Sequence, residues 1–251
     1  MIDQPLRGTR IAEAALAVAL AAAFSACTPS PTTSYTDGSG AEVTVEWRDY
    51  PASAWLGAGE VLAGPLAGEV PERWEALLEE VQHELAAEYG LDAWRAHGDP
   101  ADYDHWFPMR ENEYGGSSML VTYNSQEWSV EGVIPFADWE RVVDTVAVVA
   151  ERHGLAWRRH DDDHLDPGYA RWLRSESLTR SDTEWLAVTV QDARLDPKGE
   201  AVADAEEHGW LVSGVSLSYG ITTVPDEDRA EFERRAAPFA GLALPKASHP
   251  S

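Results

Sequence analysis

Two stretches of this chain spell the same pattern, and that pattern dictates most of what the chain can become. "WEALLEEVQHELAAEYGLDAW" (residues 74–94) and "WERVVDTVAVVAERHGLAW" (residues 139–157) both open on Trp-Glu and continue to a pair of apolar residues. Each then places a valine seven positions after the first tryptophan and closes through Gly-Leu to a second one. In the first, Trp74, Leu77, Leu78, Val81, Leu85 and Tyr89 recur at spacings of three and four, the stripe of a helix with one buried face. Pro71 suits a first helical turn, Glu72 and Glu75 sit at the positive end of the helix dipole, and Gly90 supplies the stop. In the second, Trp139, Val142, Val143, Val146, Val149 and Ala150 keep the same register up to Gly154. A helix with one apolar stripe must bury it, so two such helices require a common surface to pack on.

The remaining periodicity supplies that surface. Residues 41–47 alternate with Val43, Val45 and Trp47 on one face, and residues 117–124 and 127–135 read as two strands separated by a turn near Asn124 to Gln126. Residues 183–195 and 209–223 follow the second helix, and in the latter Leu211, Val215, Leu217, Tyr219 and Ile221 alternate with Ser216, Ser218 and Gly220. The expected class is α+β: an antiparallel sheet with two amphipathic helices packed on one face and a helix-strand-strand pseudo-repeat. A short helix is expected near residues 226–236, acidic at its start and arginine-rich at its end.

The N-terminus carries an address. Arg7 and Arg10 precede an apolar run at residues 14–24 that ends in Ser25-Ala26-Cys27, the layout of a signal peptide over residues 1–26. The run is shorter than the roughly 20 apolar residues that a spanning helix needs. Cys27, the sole cysteine, stands where a bacterial lipobox places its lipidated residue, with Phe24 in place of the usual leucine. An ordinary secretory signal with an incidental cysteine is the alternative. Lipidation of Cys27 would make the membrane a partner and place the body on its extracytoplasmic face. A lone cysteine permits no intrachain disulfide, and once lipidated it is no thiol nucleophile. Residues 27–40, rich in Pro, Ser, Thr and Gly, read as a flexible tether, residues 41–237 as one domain, and residues 238–251 as a disordered tail.

Charge narrows the partners. With 44 acidic and 19 basic residues the formal net charge is −25, which repels phosphate backbones, so no nucleic-acid partner is expected. The chain has neither a P-loop nor a G-x-G-x-x-G nor a G-x-S-x-G elbow, and no cofactor is implied.

The densest cluster of ligand-type residues is "HDDDH". On an extended backbone His160, Asp162 and His164 share one side, the ligand types that zinc or ferrous iron takes. Residues two apart lie about 7 Å apart on a straight strand, so three meet one ion only across a sharp turn. The plain reading is a solvated acidic loop. A second knot, Asp99, Asp102, Asp104 and His105, lacks the central glycine and distal glutamate of a calcium loop.

The tryptophans at 74, 94, 139, 157, 185 and 210 fall on buried faces or element ends. An exposed aromatic set in an exported protein would stack on glycan, and Trp47, Trp55, Trp106, Trp128 and Trp172 are the candidates for exposure.

The order of signal, tether, helix-to-Gly-Leu segment, acidic "HDDD" stretch and late strand "WLVSGVSLSYG" resembles the LppA-like bacterial lipoproteins over residues 71–219. The resemblance implies a lipobox followed by a small α+β domain, an envelope location, and no catalytic residues. It departs in one respect: mature-domain cysteines are usual in that family, and this chain has none after Cys27.

The expectation from sequence is a lipid-anchored envelope protein acting as a binding or interaction module rather than an enzyme. The rival is a metal-binding protein or metal-dependent hydrolase using His160, Asp162 and His164. An accessory subunit with an envelope protein partner would instead expose an apolar patch of several hundred Å2 on the sheet's open face.

Overall fold

A computed structural model describes residues 29–98, 105–157 and 171–248. The chain opens with a hairpin of β1 (Thr32–Thr36) and β2 (Glu42–Glu46), followed by α1 (Ala58–Leu62) and α2 (Val70–Tyr89). Then come β3 (Arg95–Ala96), β4 (Trp106–Pro108), β5 (Val121–Asn124), β6 (Trp128–Glu131) and α3 (Trp139–Arg152). After β7 (Ala156–Trp157) the order is β8 (Leu173–Ser181), β9 (Glu184–Asp192), α4 (Glu200–His208), β10 (Ser213–Thr223) and α5 (Arg229–Ala236). The class is the expected α+β. The main sheet runs β3-β6-β10-β9-β8-β7, with β5 also on β10 and β4 on β5, and every described pairing is antiparallel.

Both repeated segments form the helices their stripes require. α2 carries Pro71 in its first turn and stops at Gly90 in the left-handed conformation, burying Trp74, Leu77, Leu78, Val81 and Leu85. α3 buries Trp139, Val142, Val143, Val146 and Val149. After each Gly-Leu the chain enters a sheet edge, β3 after α2 and β7 after α3, at opposite margins. The halves differ beyond that point: β4 and β5 come between β3 and its neighbour β6, and α4 separates β9 from β10, so the expected helix-strand-strand repeat is not regular. The two helices share one core with Leu178, Leu186, Val188, Val190, Val215, Leu217 and Ile221 of the sheet. Across their exposed sides Arg141 pairs with Glu88 at 2.8 Å and Arg152 with Glu80 at 2.6 Å.

Four further expectations change. β5 and β6 are not joined by a hairpin turn: they run end to end along one edge of β10, from Asn124 opposite Gly220 to Trp128 opposite Leu217. Ser125, Gln126 and Glu127 bulge against two residues of β10, where the Ser125 amide donates to the Tyr219 carbonyl at 2.8 Å and the Tyr219 amide to Ser125 Oγ at 2.9 Å. Polar residues at 124–126 imitate a turn because a bulge also needs local side-chain partners. β8 has no counterpart in the sequence reading, because its helix-side positions include Arg174 and Glu176 rather than apolar residues. These two pair with each other at 3.0 Å.

The supposed tether contains β1. Thr33 and Tyr35 turn inward between exposed neighbours, Trp47 Nε1 donates to Thr33 Oγ1 at 2.9 Å, and Asp37 Oδ1 accepts the Ser39 and Ala41 amides in the hairpin turn. The tail is packed as well. Phe239 is buried, Leu242 and Leu244 lie against the same cluster, and the Tyr114 hydroxyl donates to the Pro245 carbonyl at 2.8 Å.

β1, β2, α1, α5 and the tail enclose a second core around Trp47, Tyr50, Tyr114, Leu120 and Phe232. Its hub is the fully buried Asn112, whose amide group donates to the carbonyls of Trp47, Arg48 and Tyr50 and whose oxygen accepts the amides of Tyr114 and Gly116. Gly116 is required there, since a Cβ would stand 1.7 Å from the Arg48 carbonyl oxygen. Among the described residues no helix is long and apolar enough to cross a membrane.

Candidate functional site

Strand alternation sends large apolar side chains toward α2 and α3, and the other face of the sheet receives a different set. One row across β8, β9, β10 and β6 there reads Ser175, Thr189, Ser216, Ser129, and the next reads Ser177, Ala187, Ser218. These side chains are small, so the face keeps open volume above it. At one end the Trp185 ring lies against Gly220, where a Cβ would come within 2.0 Å of it.

At the other end the chain builds a wall. Beyond β9 it makes a 3-10 turn at Ala193–Leu195, then α4, then Trp210 before entering β10. Asp196 holds the start of α4 by accepting the Lys198 and Ala201 amides, each at 3.1 Å, and those backbone donors, Ala201 foremost, lower its pKa. Asp192 grips Arg194 through two contacts, Nε to Oδ1 at 2.7 Å and Nη2 to Oδ2 at 2.8 Å, which hold its carboxyl below the ordinary range. The Gln191 amide donates to the Leu211 carbonyl, fastening the wall to the sheet.

Between wall and sheet lies a cleft of about 850 Å3, whose lining includes Thr189, Gln191 and Ser216 on its floor, Trp172 and Leu173 on the β8 side, and His97 and Glu127 on the β6 side. That volume is in the range of small-ligand sites. Glu127, Asp196, Glu200 and Asp204 outnumber Arg171 and Lys198 around it. Trp210, expected on a buried face or at an element end, falls at an element end and is 60% exposed at the rim, its ring centroid 4.6 Å from that of His208. The reason is local: Gly209 ends α4 in the left-handed conformation, and Trp210 falls in the connection before β10 begins at Ser213.

The cleft's edge holds a serine, a histidine and a glutamate, but not in relay. His97 Nε2 meets Ser129 Oγ at 3.0 Å, and the same nitrogen lies 3.8 Å from Glu127 Oε1. A Ser-His-acid triad needs the acid on the opposite ring nitrogen, where it fixes the tautomer and stabilises the imidazolium. With both partners on Nε2, Glu127 competes with the serine instead of supporting the base.

The strongest buried charge serves the fold. Glu184, fully buried, accepts from Arg73 at 2.9 Å and from the Tyr219 hydroxyl at 2.7 Å, and Arg180 lies 3.1 Å away. Tyr219 stacks on Trp74 at 5.4 Å, and burial followed by the nearby Glu184 charge drives its phenol well above the usual range.

Of the residues singled out from sequence, Cys27, His160, Asp162 and His164 lie outside the described residues, as do Asp99, Asp102 and Asp104. His105 stacks on Tyr123 at 5.3 Å, with Nδ1 3.0 Å from the Asn124 carbonyl oxygen. Among the described residues no group of three or more His, Cys, Asp or Glu side chains is placed to hold a metal ion. Trp47 is buried, Trp55 exposed, and Trp106, Trp128 and Trp172 half-buried. The open face carries Ser175, Ser177, Thr189, Ser216 and Ser218 together with Leu173, Trp185 and Ala187. The cleft was missed, although the alternate positions Ala187, Thr189, Gln191 and Ser216, Ser218 carry its signal. No protein family model, curated protein or solved structure matches this chain.

Proposed function

We propose that the chain is an envelope lipoprotein, anchored through Cys27 on the extracytoplasmic face of the cell membrane, that binds an oligosaccharide in the cleft over β8, β9 and β10. The observation that carries the reading is the cleft itself: an open sheet face floored by small hydroxyl side chains and rimmed by an exposed tryptophan. Sugar rings present apolar C–H faces that stack on indole, and Trp210 offers such a face. Their hydroxyls need a dense set of acceptors and donors, which Thr189, Gln191 and Ser216 provide, and carboxylates such as Glu127 and Asp204 accept them in charge-assisted bonds. The acidic surround disfavours phosphorylated or otherwise anionic ligands. The order of signal, Cys27 and α+β body, which resembles the LppA-like lipoproteins, supports the location.

Calorimetric titration with tetramers of β-1,4-linked N-acetylglucosamine, glucose and α-1,4-linked glucose tests the binding half. Saturable binding by one of them, weakened at least about tenfold in Trp210→Ala (about 1.4 kcal/mol), is expected. Equal affinity in the variant, or no binding to any, contradicts the reading. Palmitate labelling that disappears in Cys27→Ser tests the anchoring half.

A further inference from the structure

We infer that a depression lined by Arg48, Arg110 and Arg235 is the face that lies against the membrane and takes the phosphates of anionic lipid headgroups. The inference rests on the lipid-anchor reading of Cys27. The depression, of about 700 Å3, sits at the base of the second core, and Gly115, Gly116 and Ser117 also border it.

Its arginines differ from nine of the ten other described arginines, the exception being Arg171 at the cleft over β8, β9 and β10. Arg73, Arg95, Arg141, Arg152, Arg174, Arg180, Arg194, Arg229 and Arg234 each have a carboxylate partner within 4.0 Å. Arg48, Arg110 and Arg235 have none, although Asp49 and Glu111 border the same depression. Among the groups that line it, three guanidinium groups stand against two carboxylates. The nearby Glu231 is taken up by Arg234 at 2.5 Å, which leaves the depression locally positive in a chain of net charge −25. The patch is held in place by the second core: Asn112 donates to the Arg48 carbonyl at 3.0 Å and Arg235 Nη2 to the Asp49 carbonyl at 3.3 Å.

The length of chain before the body decides what the patch faces. The Arg48 amide donates to Ser30 Oγ at 2.8 Å and the Trp47 amide to the Pro31 carbonyl at 2.9 Å, so the body begins beside Arg48. Cys27 precedes Ser30 by three residues, which span at most about 10 Å even when extended. A lipid on Cys27 therefore brings Arg48 to headgroup level. A chain this acidic is repelled by an anionic leaflet unless the surface nearest the bilayer is of the opposite sign, and guanidinium groups pair with phosphate in two-pronged geometry.

Both cores and the hydrogen bonds described above lie within residues 29–248, so the test uses residues 28–251, without signal or Cys27. Co-sedimentation at low salt compares phosphatidylcholine vesicles with vesicles containing about a third phosphatidylglycerol. The expected result is at least fivefold more protein on the anionic vesicles, falling to the neutral level in the triple variant Arg48→Gln, Arg110→Gln, Arg235→Gln and at high salt. The double variant Arg48→Gln, Arg110→Gln, which breaks no described side-chain hydrogen bond, is expected to lose most of the difference. Equal binding to both vesicles, or undiminished binding by the triple variant with an unchanged melting midpoint, overturns the inference. So does a midpoint raised by inorganic phosphate in the wild type alone without vesicle binding, which would assign the arginines to a free anion. Failure here leaves palmitate labelling of Cys27 untouched, and absence of that label leaves the vesicle result standing.

Discussion

The two faces of β9 and β10 are drawn from alternate residues of the same strands, yet one is core and the other a floor. Toward α2 and α3 go Leu186, Val188, Val190, Val215 and Leu217, all buried; away from them go Ala187, Thr189, Gln191, Ser216 and Ser218. The backbone ladder is common to both, so the difference lies in side-chain volume and polarity. One apolar face is enough to fix register, because a slip by one residue would turn the whole apolar set to solvent. The opposite face is then free of packing duty, and here it is lined with short hydroxyl side chains below a wall made by α4 and Trp210.

If the faces divide the work in this way, substitutions on them must diverge. Leu186→Ala removes a fully buried side chain from between the sheet and the helices and is expected to cost about 3 to 4 kcal/mol in urea unfolding. Thr189→Ala, three positions along the same strand, is expected to cost less than about 0.5 kcal/mol. Equal losses would break the comparison.

Glu184→Gln sharpens it at the edge of the helix-side core. Arg73 and Arg180 would keep their charges beside a neutral amide, at a cost of about 2 to 3 kcal/mol, toward the lower end for a broken buried pair because both arginines are part-exposed. In the second core, Asn112→Ala leaves the carbonyls of Trp47 and Tyr50 short of a donor and is expected to cost about 2 kcal/mol.

A smaller effect appears with acid. The hydrogen bonds from Arg194 lower the Asp192 carboxyl, so its contribution is fully present above the unfolded aspartate value of about 3.9 and is lost as pH falls through the lower folded value. Asp192→Asn is therefore expected to flatten the decline of stability below about pH 4 while leaving the neutral-pH fold intact. An unchanged acid limb would show that Asp192 is not held by Arg194 in solution.

The helices were legible because their stripes are long, apolar and bounded by Pro71 and Gly90. β10 was legible because its alternation is strict. β8 was hidden by Arg174 and Glu176, whose mutual pairing satisfies charge where a reader expects apolar side chains. β1 was hidden by its Ser and Thr content, which imitates a linker until the inward Thr33 and Tyr35 find Trp47 and the C-terminal segment. The bulge at Ser125–Glu127 looked like a turn. The cleft was hidden for a different reason: Thr189, Gln191 and Ser216 look like ordinary solvated strand positions, and only the path of the chain through α4 and Trp210 closes a volume over them. Arg48, Arg110 and Arg235, 62 and 125 residues apart in sequence steps, are brought together by Asn112 and α5, which no local pattern announces.

The most direct measurement is a two-dimensional amide NMR titration of residues 28–251 with the three tetrasaccharides. The account predicts shifts at Thr189, Gln191, Ser216 and the Trp210 indole with at least one of them, and little change at Val81 or Val146 in the helix-side core. Shifts absent with every sugar, or confined to α2 and α3, would contradict the assignment of the open face as the binding site.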